Sequence, residues 1–149
     1  MTILSEEELN EIVDVVCMTV LDLPVHPGGR SALHSGQYLT ASIGISGAWN
    51  GVVKVRVSLE LLTRAASDIF SIPVDDVDSR DLVDTITELT NMLGGTVKCM
   101  LPESCDLALP EILPSEKRTR GQHEWVYFSC ESMPLAVAVM ESASGVRAA

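Results

Sequence analysis

The first apolar period along the chain is helical. Leu9, Ile12, Val13, Val16 and Val20 recur at spacings of three and four until Pro24. Ser5-Glu6-Glu7-Glu8 stands before them as a Ser-x-x-Glu capping box. From Val25 to Gly36 the segment VHPGGRSALHSG is rich in turn formers, and after it the period falls to two: Leu39, Ala41, Ile43 and Ile45 alternate with Thr40, Ser42 and Gly44. GAWNG, Gly47 to Gly51, turns the chain back into Val52 to Val57, where valines alternate with Lys54 and Arg56. The pattern predicts an antiparallel hairpin with a solvated face. Ser58 is placed to cap a second helix whose buried side is Leu61, Leu62, Ala65, Ile69 and Phe70, ending near Pro73. In the acidic loop VDDVDS, Asp78 or Ser79 caps a third, and beyond it Leu107 to Leu109, Trp125 to Cys130 and Leu135 to Met140 read as strands. The order predicts one α+β domain over residues 1–149, with helices packed on one face of a mostly antiparallel sheet.

The third helix carries the most information. At 100° per residue, Leu82, Ile86, Leu89, Leu93, Val97 and Met100 fall within about 80° of one another and define a core side. Asp84, Glu88, Asn91 and Gly95 fall within about 60° on the opposite side, with Gly94 at the edge of that stripe. A glycine inside a helix costs roughly 0.8 to 1.0 kcal/mol relative to alanine, so two in succession mark either a helix end or a place of close approach. Val97, Met100 and Leu101 continue the period past the pair, and Pro102 supplies a better stop. Close approach of a partner to a shallow polar surface is therefore the expectation. Asparagine is a poor interior helix residue unless its amide is used, and the Asn91 carboxamide, donor and acceptor at once, suits the orientation of a water molecule. Glu88, one turn earlier, can pair with a cation of a partner. On spacing alone a solvated helix face accounts for the same residues.

Composition narrows the classes. A formal net charge of −11 on 149 residues excludes the basic stripe that nucleic acid requires, and it disfavours anionic membrane surfaces. The opening MTILSEEELNE has acids where a secretory signal needs basic residues, and no apolar run approaches a bilayer span, so a cytoplasmic location is expected. Cys17, Cys99, Cys105 and Cys130 contain no Cys-x-x-Cys pair and read as small apolar side chains in a reduced compartment. His26, His34 and His123 show no metal-ligand pairing and read as surface or loop residues.

Asp84-x-x-x-Glu88-x-x-Asn91-Met92-Leu93-x-Gly95-x-x-Lys98 resembles the signature helix of the CheX branch of the CheC/CheX/FliY chemotaxis phosphatases. SIGISGAWNGVVKVRVSLELLTRAASDIF is similar to that family's hairpin and following helix, and LALPEIL to the strand that ends in the motif's proline. The resemblance implies hydrolysis of the aspartyl phosphate of a CheY-type response regulator without a covalent enzyme intermediate. It implies that Asn91 enters the regulator's active site and orients the water, that Glu88 binds the regulator's active-site lysine, and that Asp84, Gly95, Lys98 and Pro110 meet the partner. No cofactor of its own is implied, because the magnesium ion belongs to the regulator. Pro114 fits the family's motif by count and Pro110 by local context.

Two further readings stand beside the catalytic one: a non-catalytic module that docks on a response regulator or flagellar switch component, and a purely structural dimerisation domain. A zinc hydrolase finds no ligand set. The presence of both Glu88 and Asn91 favours catalysis over a module free to lose them. A homodimer is expected from the resemblance and from the strand-rich segments EWVYFSCES and PLAVAVME.

Overall fold

The computed structural model describes residues 4–28, 33, 37–101, 104–114 and 125–142. His34, Pro102 and His123 lie outside them. In chain order the described elements are α1 (Glu6–Val20), β1 (His26–Pro27), β2 (Tyr38–Gly47), β3 (Gly51–Ser58), α2 (Leu59–Phe70), α3 (Ser79–Met100), β4 (Cys105–Leu107), β5 (Glu111–Leu113), β6 (Val126–Cys130) and β7 (Met133–Glu141). A single 3-10 turn, Val74–Asp76, joins α2 to α3.

The local signals act where expected. Ser5 and Glu8 form the reciprocal capping box at α1, and the Ser58 hydroxyl accepts from the Leu61 amide to start α2. The strands form one antiparallel sheet in the order β1-β6-β7-β3-β2-β4, with β5 also paired to β2. The helices cover one face, as the sequence implied. Ala41, Ile43 and Ile45 of β2, the odd-numbered valines of β3, and Leu135 and Val137 of β7 are buried in one core with Leu61 and Leu62 of α2 and Ile86, Leu89 and Leu93 of α3. Each of these leucines and isoleucines contributes about 1.5–3 kcal/mol by leaving water. α3 lies across β2 and packs against both α1 and α2, so its position is set by the sheet below and two neighbouring helices.

Several expectations change. The strand placed at Leu107 to Leu109 is instead a pair of short strands, β4 and β5, which lie along the same edge of β2. Ile45 pairs with Leu107 and Ser42 with Glu111, so three steps along β2 are matched by four on the edge. This extra residue is a bulge, and Pro110 sits inside it, where a missing N–H costs nothing. Leu109, in the same interruption, is 84% exposed rather than part of a strand. The face of the hairpin expected to be solvated is closed over β2: Thr40 and Ser42 are buried. There the Arg56 guanidinium lies 4.6 Å from the Tyr38 ring centroid and 4.4 Å from that of Trp125. Its Nε donates to the Thr40 hydroxyl at 3.3 Å. Met100, the last residue of α3, is 46% exposed rather than part of the core. Cys99 is exposed while the other three cysteines are buried, and all four are free thiols. β7, offered as a strand for pairing with a second copy, is bonded to β3 on one edge and β6 on the other and has no edge to give.

The two glycines of α3 have different roles. The helix runs through both without a break. Gly94 is buried, and a Cβ there would stand 2.6 Å from Ile43 Cγ2, so this glycine admits the strand beneath the helix rather than a partner. Gly95 has nothing within 4 Å of the same position. Gly95→Ala is expected to stabilise the fold by about 0.5–1 kcal/mol through helix propensity. Gly94→Ala is expected to destabilise it by about 1–2 kcal/mol, because overpacking against a stiff, buried isoleucine outweighs the same gain. Urea titration of both variants checks the opposite signs.

Candidate functional site

The candidate site is built on one helix, and its foundations are local. Asp78, not Ser79, is the N-cap of α3: its carboxylate accepts from the Asp81 amide at 3.0 Å, and Asp81 returns the bond to the Asp78 amide at 3.0 Å. The carboxylates there complement the positive end of the helix dipole, and Lys98 stands at the negative end. Thr85 and Thr90 are buried polar side chains, yet each hydroxyl donates to its own helix, to the carbonyls of Asp81 and Ile86 at 2.8 and 2.7 Å. The buried side of the helix is thus satisfied without reaching across to the polar stripe.

That stripe faces away from the core. Asp84, Glu88 and Asn91 are exposed, and Gly95 and Lys98 are half-exposed on the same side. The helix alone brings these five positions together, with about 4.5 Å of axial rise between Glu88 and Asn91. Among the described residues, no hydrogen bond or ion pair engages the side chains of Asp84, Glu88 or Asn91. Two carboxylates and a carboxamide therefore project with their full bonding capacity from a rigid, well-packed element. Pro110 is off the helix, half-buried in the bulge between β4 and β5, and α3 packs against both of those strands. Leu107 of β4 reaches the Gly94 position. Pro114 follows the end of β5 and is exposed. Among the described residues no group of three or more His, Cys, Asp or Glu side chains is placed to hold a metal ion, and no helix is long and apolar enough to cross a membrane.

The profile of the family described as chemotaxis phosphatase CheX matches residues 39–129, from the first strand of the hairpin through α3 to β6. The chain belongs to the CheX family. Solved structures agree in fold. The CheX chemotaxis protein of Vibrio vulnificus superposes with a TM-score of 0.73 at 18% identity, covering 92% of this chain and 95% of that one. The CheX of Borrelia burgdorferi, solved in a complex with CheY, BeF3 and Mg2+, gives 0.68 at 19%, covering 95% and 100%. FliY of Thermotoga maritima gives 0.56 at 12%, covering 95% and 93%. A search of curated protein sequences finds no significant match. The whole Asp84–Lys98 stripe lies on α3, within the span that the family profile covers.

Sequence periodicity missed the surroundings of the stripe. Ile69 and Phe70 of α2, assigned to the core, are each 41% exposed. They border a groove that Asp84 and Glu88 also line. The available signal was the length of the apolar run, since Leu61, Leu62, Ala65 and Ala66 already fill the buried side of α2.

The cap that starts the helix is open to a pH test. The hydrogen bond from the Asp81 amide holds the Asp78 carboxyl below its ordinary value of 3.8. A depressed folded-state value means that this stabilisation is present above the unfolded value and is lost as pH falls through the folded one. A carboxyl-carbon NMR titration is expected to place Asp78 below 3.8, with the Asp81 amide shift moving in step. A midpoint at or above 3.8 would contradict the cap.

Proposed function

We propose that this CheX-family protein hydrolyses the aspartyl phosphate of a CheY-type response regulator. The observation that carries the reading is the unpaired Glu88–Asn91 stripe on α3 of a chain that belongs to the chemotaxis phosphatases. The Borrelia burgdorferi relative, held with CheY, BeF3 and Mg2+, supports the choice of partner.

Phosphoryl transfer asks mainly for positioning and charge stabilisation, and the receiver domain brings its own phosphoaspartate, lysine and magnesium ion. Two groups are then left for this chain to supply. Asn91 enters the regulator's site, where its carboxamide accepts from the water with its oxygen and donates to a phosphoryl oxygen with its nitrogen. The water is thereby held in line with the phosphorus–oxygen bond that breaks. Glu88 meets the regulator's lysine and fixes the register of docking. Asp84, Gly95, Lys98 and Pro110 complete the contact surface, with Gly95 keeping the middle of the stripe low enough for a backbone to approach. No covalent intermediate on this chain is involved.

Asn91→Ala is expected to keep docking while lowering the single-turnover rate about 100- to 1,000-fold, the cost of removing one positioned polar group. Glu88→Ala is expected to weaken both binding and turnover, because the lysine loses its anionic partner. Both positions are exposed and alanine favours helix, so both variants should melt close to the parent. Full activity in Asn91→Ala would remove the phosphatase reading and leave a regulator-binding module. A second check uses free acetyl phosphate, which the protein alone should hydrolyse no faster than buffer does, since the metal and the phosphate cradle come from the regulator.

A further inference from the structure

The groove beside the stripe runs between the carboxyl-terminal ends of α1 and α2 and the middle of α3. It holds about 560 Å³, in the range of pockets that accept a small molecule and ample for one or two apolar side chains. Its apolar lining comes from Val20, Ile69, Phe70 and Met92. The two hydroxyls on its wall, Thr19 and Thr85, donate to carbonyls of their own helices, at 2.8 Å in each case. The remaining polar groups are the Asp84 and Glu88 carboxylates, and among the described residues no cation lines the groove. An occupant must therefore bring apolar surface into the cleft and positive charge to its rim.

Glu88 decides which occupant this is, because it belongs both to the groove wall and to the proposed catalytic stripe. An ordinary interface buries about 800 Å² on each partner, a disc of roughly 16 Å radius. Asn91 lies about 4.5 Å along the helix axis from Glu88, so any regulator with its phosphoaspartate over Asn91 also covers the groove. We propose that the groove is the specificity pocket of the phosphatase, filled by an apolar side chain of the regulator that has a lysine or arginine beside it, next to the phosphorylated end of the receiver domain. This rests on the phosphatase reading. Ile69 and Phe70 then set recognition, while Asn91 sets the chemistry. A regulator with an acidic residue at that place is rejected, because it would be buried against two like-charged carboxylates.

The test is steady-state dephosphorylation of phosphorylated CheY-type regulators by the full chain. With a regulator that the parent protein dephosphorylates, Ile69→Ser and Phe70→Ser should each raise KM about tenfold and leave kcat within twofold. Phe70→Leu should restore KM. Lys54→Gln, on the opposite face of the sheet, should change neither. Both residues are partly exposed, and thermal melts identify any variant that has lost its fold. Unchanged KM in folded serine variants, with the parent active, overturns the pocket and leaves the phosphatase reading intact. A change in molecular mass by light scattering, with KM unaltered, assigns the groove to a second copy of the chain and also overturns the proposal. If the parent dephosphorylates none of the regulators, the phosphatase reading fails first and the pocket fails with it.

Discussion

The contact between Gly94 and Ile43 sets the geometry of everything on α3. At that point the helix descends onto β2 until the space for a single methyl group is gone, and a Cβ would stand 2.6 Å from the isoleucine. Closeness there fixes the rotation of the helix about its own axis. Residues at about 100° to 280° around it, from Thr85 through Leu89 and Leu93 to Gly94, are then buried, and the opposite arc is left to water. A bulkier residue at position 94 would lift or roll the helix. The direction in which Glu88 and Asn91 point would move with it.

The same arrangement explains how a polar stripe stays available. Buried threonines on α3 spend their hydroxyls on carbonyls of the preceding turn, so the core makes no demand on Asp84, Glu88 or Asn91. The reciprocal Asp78–Asp81 cap holds the start of the helix by local bonds. What reaches solvent is held on a packed helix and unpaired, as the proposed insertion into a regulator's site requires. In the proposed reaction, low ordering cost on the inserting side would leave more of the contact energy for positioning the water.

Two neighbours give the stripe its flanks. On one side lies the edge of β2, where β4 meets α3 near Gly94 and the chain bulges at Pro110 before pairing again as β5. On the other, the end of α2 outruns its core, leaving Ile69 and Phe70 beside Glu88. Two of the chain's carboxylates, Asp84 and Glu88, line an apolar cleft that also borders the proposed catalytic stripe. The proposed reaction and the proposed selection share Glu88 as their common boundary.

Much of this was decided by residues close together in sequence. The helix caps at Ser5, Ser58 and Asp78, the alternation in the hairpin, and the Asp84–Glu88–Asn91–Gly95 stripe each depend on spacings within one element, and spacing is what a sequence states outright. The α+β class, with its helices on one face, followed from the order of those elements. Tertiary structure alone decided which of two adjacent glycines faces the sheet, that Ile69 and Phe70 border a groove, that Met100 reaches solvent, and that the edge of β2 carries two strands with Pro110 between them. Periodicity gives the direction in which a side chain points, but not whether another element is there to cover it. That depends on where neighbouring helices and strands end, and contacts distant in sequence set those ends.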